Sequence, residues 1–135
     1  MHPEGELATA AGRAASAIYT VSSFTTTPLE EIVEILYLPL WFQIYVRDDR
    51  ELLTKALILK AEALGFRALC VTVDTPVAGV RNQRDAKLVC LPDGVNTPHM
   101  PGGLSEKKPF TWKDIEWIRS FYQNARTARR SFKRC

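Results

Sequence analysis

Six residues carry types and spacings that could do chemistry: Ser22, Gln43, Tyr45, Thr72, Asp74 and Arg81. Ser, Gln and Thr offer neutral donors and acceptors, the groups that suit the hydrogen-bonding edge of a planar ring such as a flavin. Tyr45 can donate a hydroxyl to a substrate oxygen. Arg81 can grip a carboxylate through two parallel bonds. Gln43 and Tyr45 are two apart, as are Thr72 and Asp74, so in extended chain each pair shares a face. Taken singly, each polar residue could as well cap the next helix or satisfy a loop, and Arg81 could be a solvated loop charge. Three strands bearing the same polar exception near their ends point to a site instead.

The elements that must position them follow from the surrounding pattern. Residues 18–23, IYTVSS, and 40–46, LWFQIYV, are β-branched and aromatic runs that predict strands, and 67–73, RALCVTV, predicts a third. Between them, 28–36 and 48–64 have helical periodicity, with acids early in each and Gly65 placed to end the second. Residues 6–17 are Ala-rich and favour helix. Pro76 to Pro109 predicts a long loop. Residues 111–120, TWKDIEWIRS, predict a helix with Thr111 as N-cap and Asp114 three positions on. Helices alternating with strands imply parallel βαβ units. The strands are nearly all apolar, as expected where both faces are covered. Polar residues at the carboxyl ends of parallel strands fall where α/β folds build ligand sites.

Composition bounds the function classes. The chain has 135 residues, 46% hydrophobic and 24% charged, as in an ordinary globular domain. No apolar run approaches the ~18 residues of a membrane helix. The acidic, polar start at Met1 has no signal-peptide character. Cys70, Cys90 and Cys135 are odd in number and lack CxxC spacing, so they read as free thiols in a reducing, cytoplasmic compartment, with no metal site. Residues 1–120 hold 13 basic and 15 acidic residues, whereas 121–135 hold five basic and none acidic. The formal charge of +3 therefore sits in the tail, and the body gives no reason to expect nucleic acid or membrane as partner.

The segments HPEGE (2–6), TVSSF (20–24), LWFQIYV (40–46), VTVDTPVAGVR (71–81) and FTWKDIEWIRS (110–120) resemble the FMN-dependent α-hydroxy-acid oxidases and dehydrogenases, the family of glycolate oxidase, lactate oxidase and the flavocytochrome lactate dehydrogenases. The resemblance covers residues 2–120. It implies an α/β fold that is part of a TIM barrel: three parallel β/α units, a long loop after the third strand, and incomplete closure. It implies FMN as cofactor and a small L-2-hydroxy acid, such as lactate or glycolate, as the substrate oxidised to the 2-oxo acid. By the same resemblance Ser22, Gln43 and Thr72 contact the flavin. Tyr45 binds substrate at the catalytic centre, Asp74 orients the catalytic histidine, and Arg81 holds the substrate carboxylate.

The departures set further expectations. The match lacks the first barrel strand, the flavin-contacting lysine of the fifth strand, the Gly-rich phosphate site and the SNHG-type motif of the catalytic histidine. His2 and His99 stand in the wrong context to replace that histidine. Ala17 runs directly into Ile18 where the family usually has Gly. Residues 121–135 read as a non-matching basic tail, with the look of a frameshift, misjoined exon or early stop. A whole barrel takes ~250 residues. The expectation is a truncated domain over 1–120, inactive alone. The alternative is a non-catalytic interaction module using the fragment and its basic tail. The full-length family implies a homo-oligomer, left open for this chain, and a peroxisomal location as the alternative to the cytoplasm, and NTPHMPG within the loop resembles the lactate-oxidase-like members more than glycolate oxidases.

Overall fold

A computed structural model describes residues 18–36, 39–73, 96–100 and 110–123. The helix expected over 6–17, the tail, most of the 76–109 loop, and the site residues Asp74 and Arg81 lie outside the described residues.

Three strands, β1 (Tyr19–Ser22), β2 (Leu40–Tyr45) and β3 (Ala68–Thr72), form one parallel sheet in the order β1-β2-β3. Helix α1 (Leu29–Ile35) connects the first pair. A π-helical turn (Arg50–Thr54) running into α2 (Lys55–Ala63) connects the second. The order and boundaries match the sequence reading to within two residues, except that the helix expected over 48–64 begins in a wider turn. Side chains tie that turn at both of its ends. Thr54 Oγ1 accepts the Arg47 N–H at 3.1 Å, and the Arg50 guanidinium pairs with Asp114.

Register decides which side chains share a face. Val21 stands beside Phe42 and Phe42 beside Leu69; Ile44 stands beside Val71. This face packs under α1 and α2, and Leu29, Ile32, Ile58, Ala61 and Phe66 close the core against Val21, Leu40, Phe42 and Ile44. Phe42 and Phe66 meet edge to face at 5.7 Å. The opposite face carries Thr20, Ser22, Trp41, Gln43, Tyr45, Cys70 and Thr72, and it is half-buried to exposed. Both faces were expected to be covered. Burial is complete on the helix-packed face at Val21, Leu40, Phe42 and Ile44, whereas Leu69 and Val71 of the same face and the polar residues of the other are only partly covered.

Helix α2 ends in a Schellman arrangement. Phe66 N–H reaches Ala61 O at 3.1 Å and Gly65 N–H reaches Glu62 O at 3.0 Å, with Gly65 left-handed at φ +84°. Phe66 and Ala61 are both buried, supplying the hydrophobic contact that accompanies this motif. Helix α3 (Trp112–Phe121) begins as its sequence predicts, and the Asp114 carboxylate accepts from Thr111 N–H at 2.7 Å and from the Thr111 hydroxyl at 3.0 Å. Asp114 is buried and also takes the Arg50 guanidinium, so one carboxylate both caps α3 and ties it to the start of the α2 segment. Gln123 N–H to Glu62 at 2.7 Å and Trp117 Nε1 to Glu51 at 2.7 Å complete that attachment.

Candidate flavin and substrate site

The parallel register brings three of the singled-out side chains together at the carboxyl ends of the strands. Ser22 is the register partner of Gln43, and Thr72 is that of Tyr45. The Ser22 hydroxyl donates to Gln43 Oε1 at 3.1 Å, and Gln43 Nε2 donates to Thr72 Oγ1 at 2.6 Å. One polar row therefore crosses the whole sheet. Its position follows from the strand pleat: alternate residues of β2 go into the core, which leaves Gln43 and Tyr45 on the other face.

Among the described residues the row keeps capacity to spare. Gln43 Nε2 carries two hydrogens and spends one on Thr72. The Thr72 hydroxyl is an acceptor in that bond, which leaves its own hydrogen to donate. Ser22 Oγ also accepts the Phe24 N–H at 3.1 Å, so the first loop residues are fixed to it. Tyr45, the last residue of β2, stands on the same face as Gln43, and the Phe24 ring packs edge-on against its ring at 5.5 Å. Sequence reasoning passed over Phe24. The signal was an aromatic following TVSS directly, within side-chain reach of the next strand.

Hydrogen bonds within the loop leaving β1 fix its turn. Thr25 N–H reaches Ser22 O at 3.0 Å, and Thr27 N–H reaches the buried Thr25 hydroxyl at 3.2 Å. Ser23 is fully buried, and its hydroxyl has no partner among the described residues. Cys70 lies on the site face, two residues before Thr72, as a free thiol whose pKa is raised by burial. His99, which the sequence set aside as a base, accepts the Leu29 N–H at 3.1 Å through Nε2, at the N-terminus of α1. Asp74 and Arg81, expected in the same site, lie outside the described residues. Among the described residues no group of His, Cys, Asp or Glu is arranged to hold a metal ion, and no helix is long and apolar enough to cross a membrane.

A parallel α/β sheet with a neutral donor–acceptor row at its carboxyl edge is a scaffold for a planar, hydrogen-bonding ligand. The sequence model of the FMN-dependent dehydrogenase family matches residues 1–125. The chain belongs to that family of FMN-dependent 2-hydroxy-acid oxidases and dehydrogenases. It is 40% identical to an L-lactate oxidase of Nostoc sp. over 88% of its length and 39% of the relative's, and 38% identical to human 2-hydroxyacid oxidase 2 over 87% and 36%. A solved mandelate oxidase variant with (S)-mandelic acid superposes with a TM-score of 0.74 at 34% identity, over 88% of this chain and 34% of that one. The chain thus spans under two fifths of the length of these relatives. The family's cofactor is FMN, and a row of neutral donors and acceptors with spare hydrogens fits the polar edge of its ring system.

Proposed function

We propose that these residues are part of an (S)-2-hydroxy-acid oxidase or dehydrogenase, forming the second to fourth strands of a TIM barrel that is unclosed in this chain. The observation that carries the reading is the Ser22–Gln43–Thr72 row across three parallel strands. Bound FMN would supply the two-electron acceptor that oxidation of the 2-hydroxy acid requires. The roles of this chain's residues are to hold and orient. Ser22, Gln43 and Thr72 bond the ring edge, and Tyr45, steadied by Phe24, donates its hydroxyl to the substrate. Arg81 binds the substrate carboxylate, and Asp74 orients the histidine that removes the hydroxyl proton. The relatives' names support a small 2-hydroxy acid, and the 40% identity to an L-lactate oxidase supports lactate ahead of glycolate. A cytoplasmic location without nucleic-acid or membrane partners belongs to the same reading, supported by the free Cys70 thiol and the near-neutral body, and homo-oligomerisation belongs to the full-length family.

The 135 residues alone do not turn over substrate. Neither His2 nor His99 lies in the SNHG-type context of the family's base, and His99 already accepts a helix N–H. Affinity is limited as well. Three neutral bonds contribute about 1.5–4.5 kcal/mol together, before the cost of immobilising the ligand. A millimolar complex already needs about 4.1 kcal/mol. The chain by itself therefore binds FMN no tighter than about millimolar and purifies colourless. Titration of FMN fluorescence with the purified chain tests affinity, and bleaching of the flavin band by L-lactate or glycolate tests turnover. A yellow protein that bleaches rapidly would overturn the inactivity. Absence of any Gln43-dependent FMN binding even at millimolar concentration, in this chain or joined to the remaining barrel strands of a relative, would overturn the site.

A further inference from the structure

Residues 96–100 form a tight turn, in which Met100 N–H reaches Thr97 O at 3.0 Å and the Thr97 hydroxyl donates to Met100 O at 3.1 Å. Met100 is fully buried, so the turn is seated on the protein. His99 in that turn faces α1. Its Nε2 accepts the N–H of Leu29, the first residue of the helix, at 3.1 Å. That N–H has no carbonyl within its own helix, and Pro28 supplies no side-chain cap. The cap comes instead from 70 residues further along the chain.

A ring nitrogen that accepts a hydrogen bond must be unprotonated. Protonation would set an N–H against the Leu29 N–H and put a positive charge at the positive end of the helix dipole. Among the described residues two charged groups act on the ring, Glu30 from α1 and Lys60 from α2, and they pair with each other at 2.7 Å. The turn itself holds no other titratable residue. We propose that His99 is a pH-released clasp that joins the 96–100 turn to the N-terminus of α1 and lets go on protonation.

Burial holds the His99 pKa below its ordinary value of 6.5; Lys60 acts in the same direction and Glu30 opposes it. The unfolded or unclasped ring therefore takes up its proton first. The contact is in place above about pH 6.5 and is lost as pH falls from there through the lower clasped value. Release would reach the loop behind Ser22, because α1 begins where the Thr25–Thr27 hydrogen bonds of that loop end. The inference is independent of the flavin reading and needs no ligand to test.

The measurement is exchange protection of the Leu29 amide in the full chain, corrected for intrinsic rates, at about pH 7.5 and about pH 5, on either side of the ordinary histidine value. Protection should fall on the order of tenfold at the lower pH, the worth of one hydrogen bond. In His99→Gln, whose Oε1 accepts at any pH, it should stay level. In His99→Phe it should be low at both. Unchanged wild-type protection, or an equal fall in His99→Gln, would overturn the clasp. If the variants do not fold, an NMR titration of wild-type His99 decides: a midpoint below 6.5 supports it, and one at or above 6.5 overturns it.

Discussion

Gln43 donates its side-chain amide to the Thr72 hydroxyl at 2.6 Å across neighbouring parallel strands. Because Ser22 bonds the other end of the same amide, one side chain ties all three strands together at their carboxyl ends. An amide can do this because it presents an acceptor to one neighbour and a donor to the other. An equally long carboxylate could only accept, and would leave the Thr72 contact dependent on the hydroxyl's own hydrogen.

Replacing Gln43 by Leu should therefore cost stability as well as any flavin contact. Two bonds are lost, but both groups are partly exposed and water can replace them, so the expected loss is about 1 kcal/mol rather than the sum for buried bonds. Urea unfolding of the variant beside the wild type reads this directly. An unchanged midpoint would mean that the row is held by the strands and contributes nothing itself.

The strands were legible in the sequence because β-branched and aromatic runs stood between helical periods, and Gly65 and Thr111 punctuated the helices where the structure ends and begins them. The site row was legible because polar residues broke otherwise apolar strands. Its internal bonding was not, since register between strands is a tertiary fact: Ser22 and Thr72 each lie one strand from Gln43, but nothing in their spacing says that one amide bridges both. The Arg50–Asp114 tie at the π-helical start of the α2 segment was hidden for a similar reason, because it joins residues 64 apart. The role of His99 was missed because a histidine judged by motif context says nothing about a helix end 70 residues away.

Ser23→Ala should be neutral or stabilising, by up to about 1 kcal/mol. The Ser23 hydroxyl is fully buried with no partner among the described residues, so folding strips it of water for no return. Its backbone N–H, which donates to Gln43 O at 2.9 Å, is untouched by the substitution. A loss above about 1 kcal/mol in chemical denaturation would show that the hydroxyl is hydrogen-bonded in solution.

Gly65→Ala should destabilise by about 1 kcal/mol. A β-carbon at this position meets nothing within 4 Å, so crowding by other residues is not the cause. The cost is local to the backbone, because φ +84° places the new methyl against its own carbonyl. Gly65→Asn, which tolerates the left-handed region better, should recover part of the loss. Equal thermal midpoints for the Ala and Asn variants would argue against this cause.

Tyr122 should make the fold sensitive to alkaline pH. Its hydroxyl is pushed up to about 12 from 10.0, first by burial and then by the negative charges available at Glu62 and Cys70. The folded state thus holds the phenolic proton at a pH where the unfolded chain has released it. Between about pH 10 and 12 the native state binds more protons than the unfolded one, so stability falls as pH rises through that window. Below about pH 10 the contribution is complete and constant. Lysines titrate nearby and confuse an absolute measurement, but they are common to wild type and Tyr122→Phe. The decisive quantity is the difference in urea midpoint between the two proteins, followed from about pH 9 to about pH 11.5. It should shift in favour of the phenylalanine variant as pH rises. A difference that stays level across the range would mean that Tyr122 ionises as freely in the folded chain as in the unfolded one.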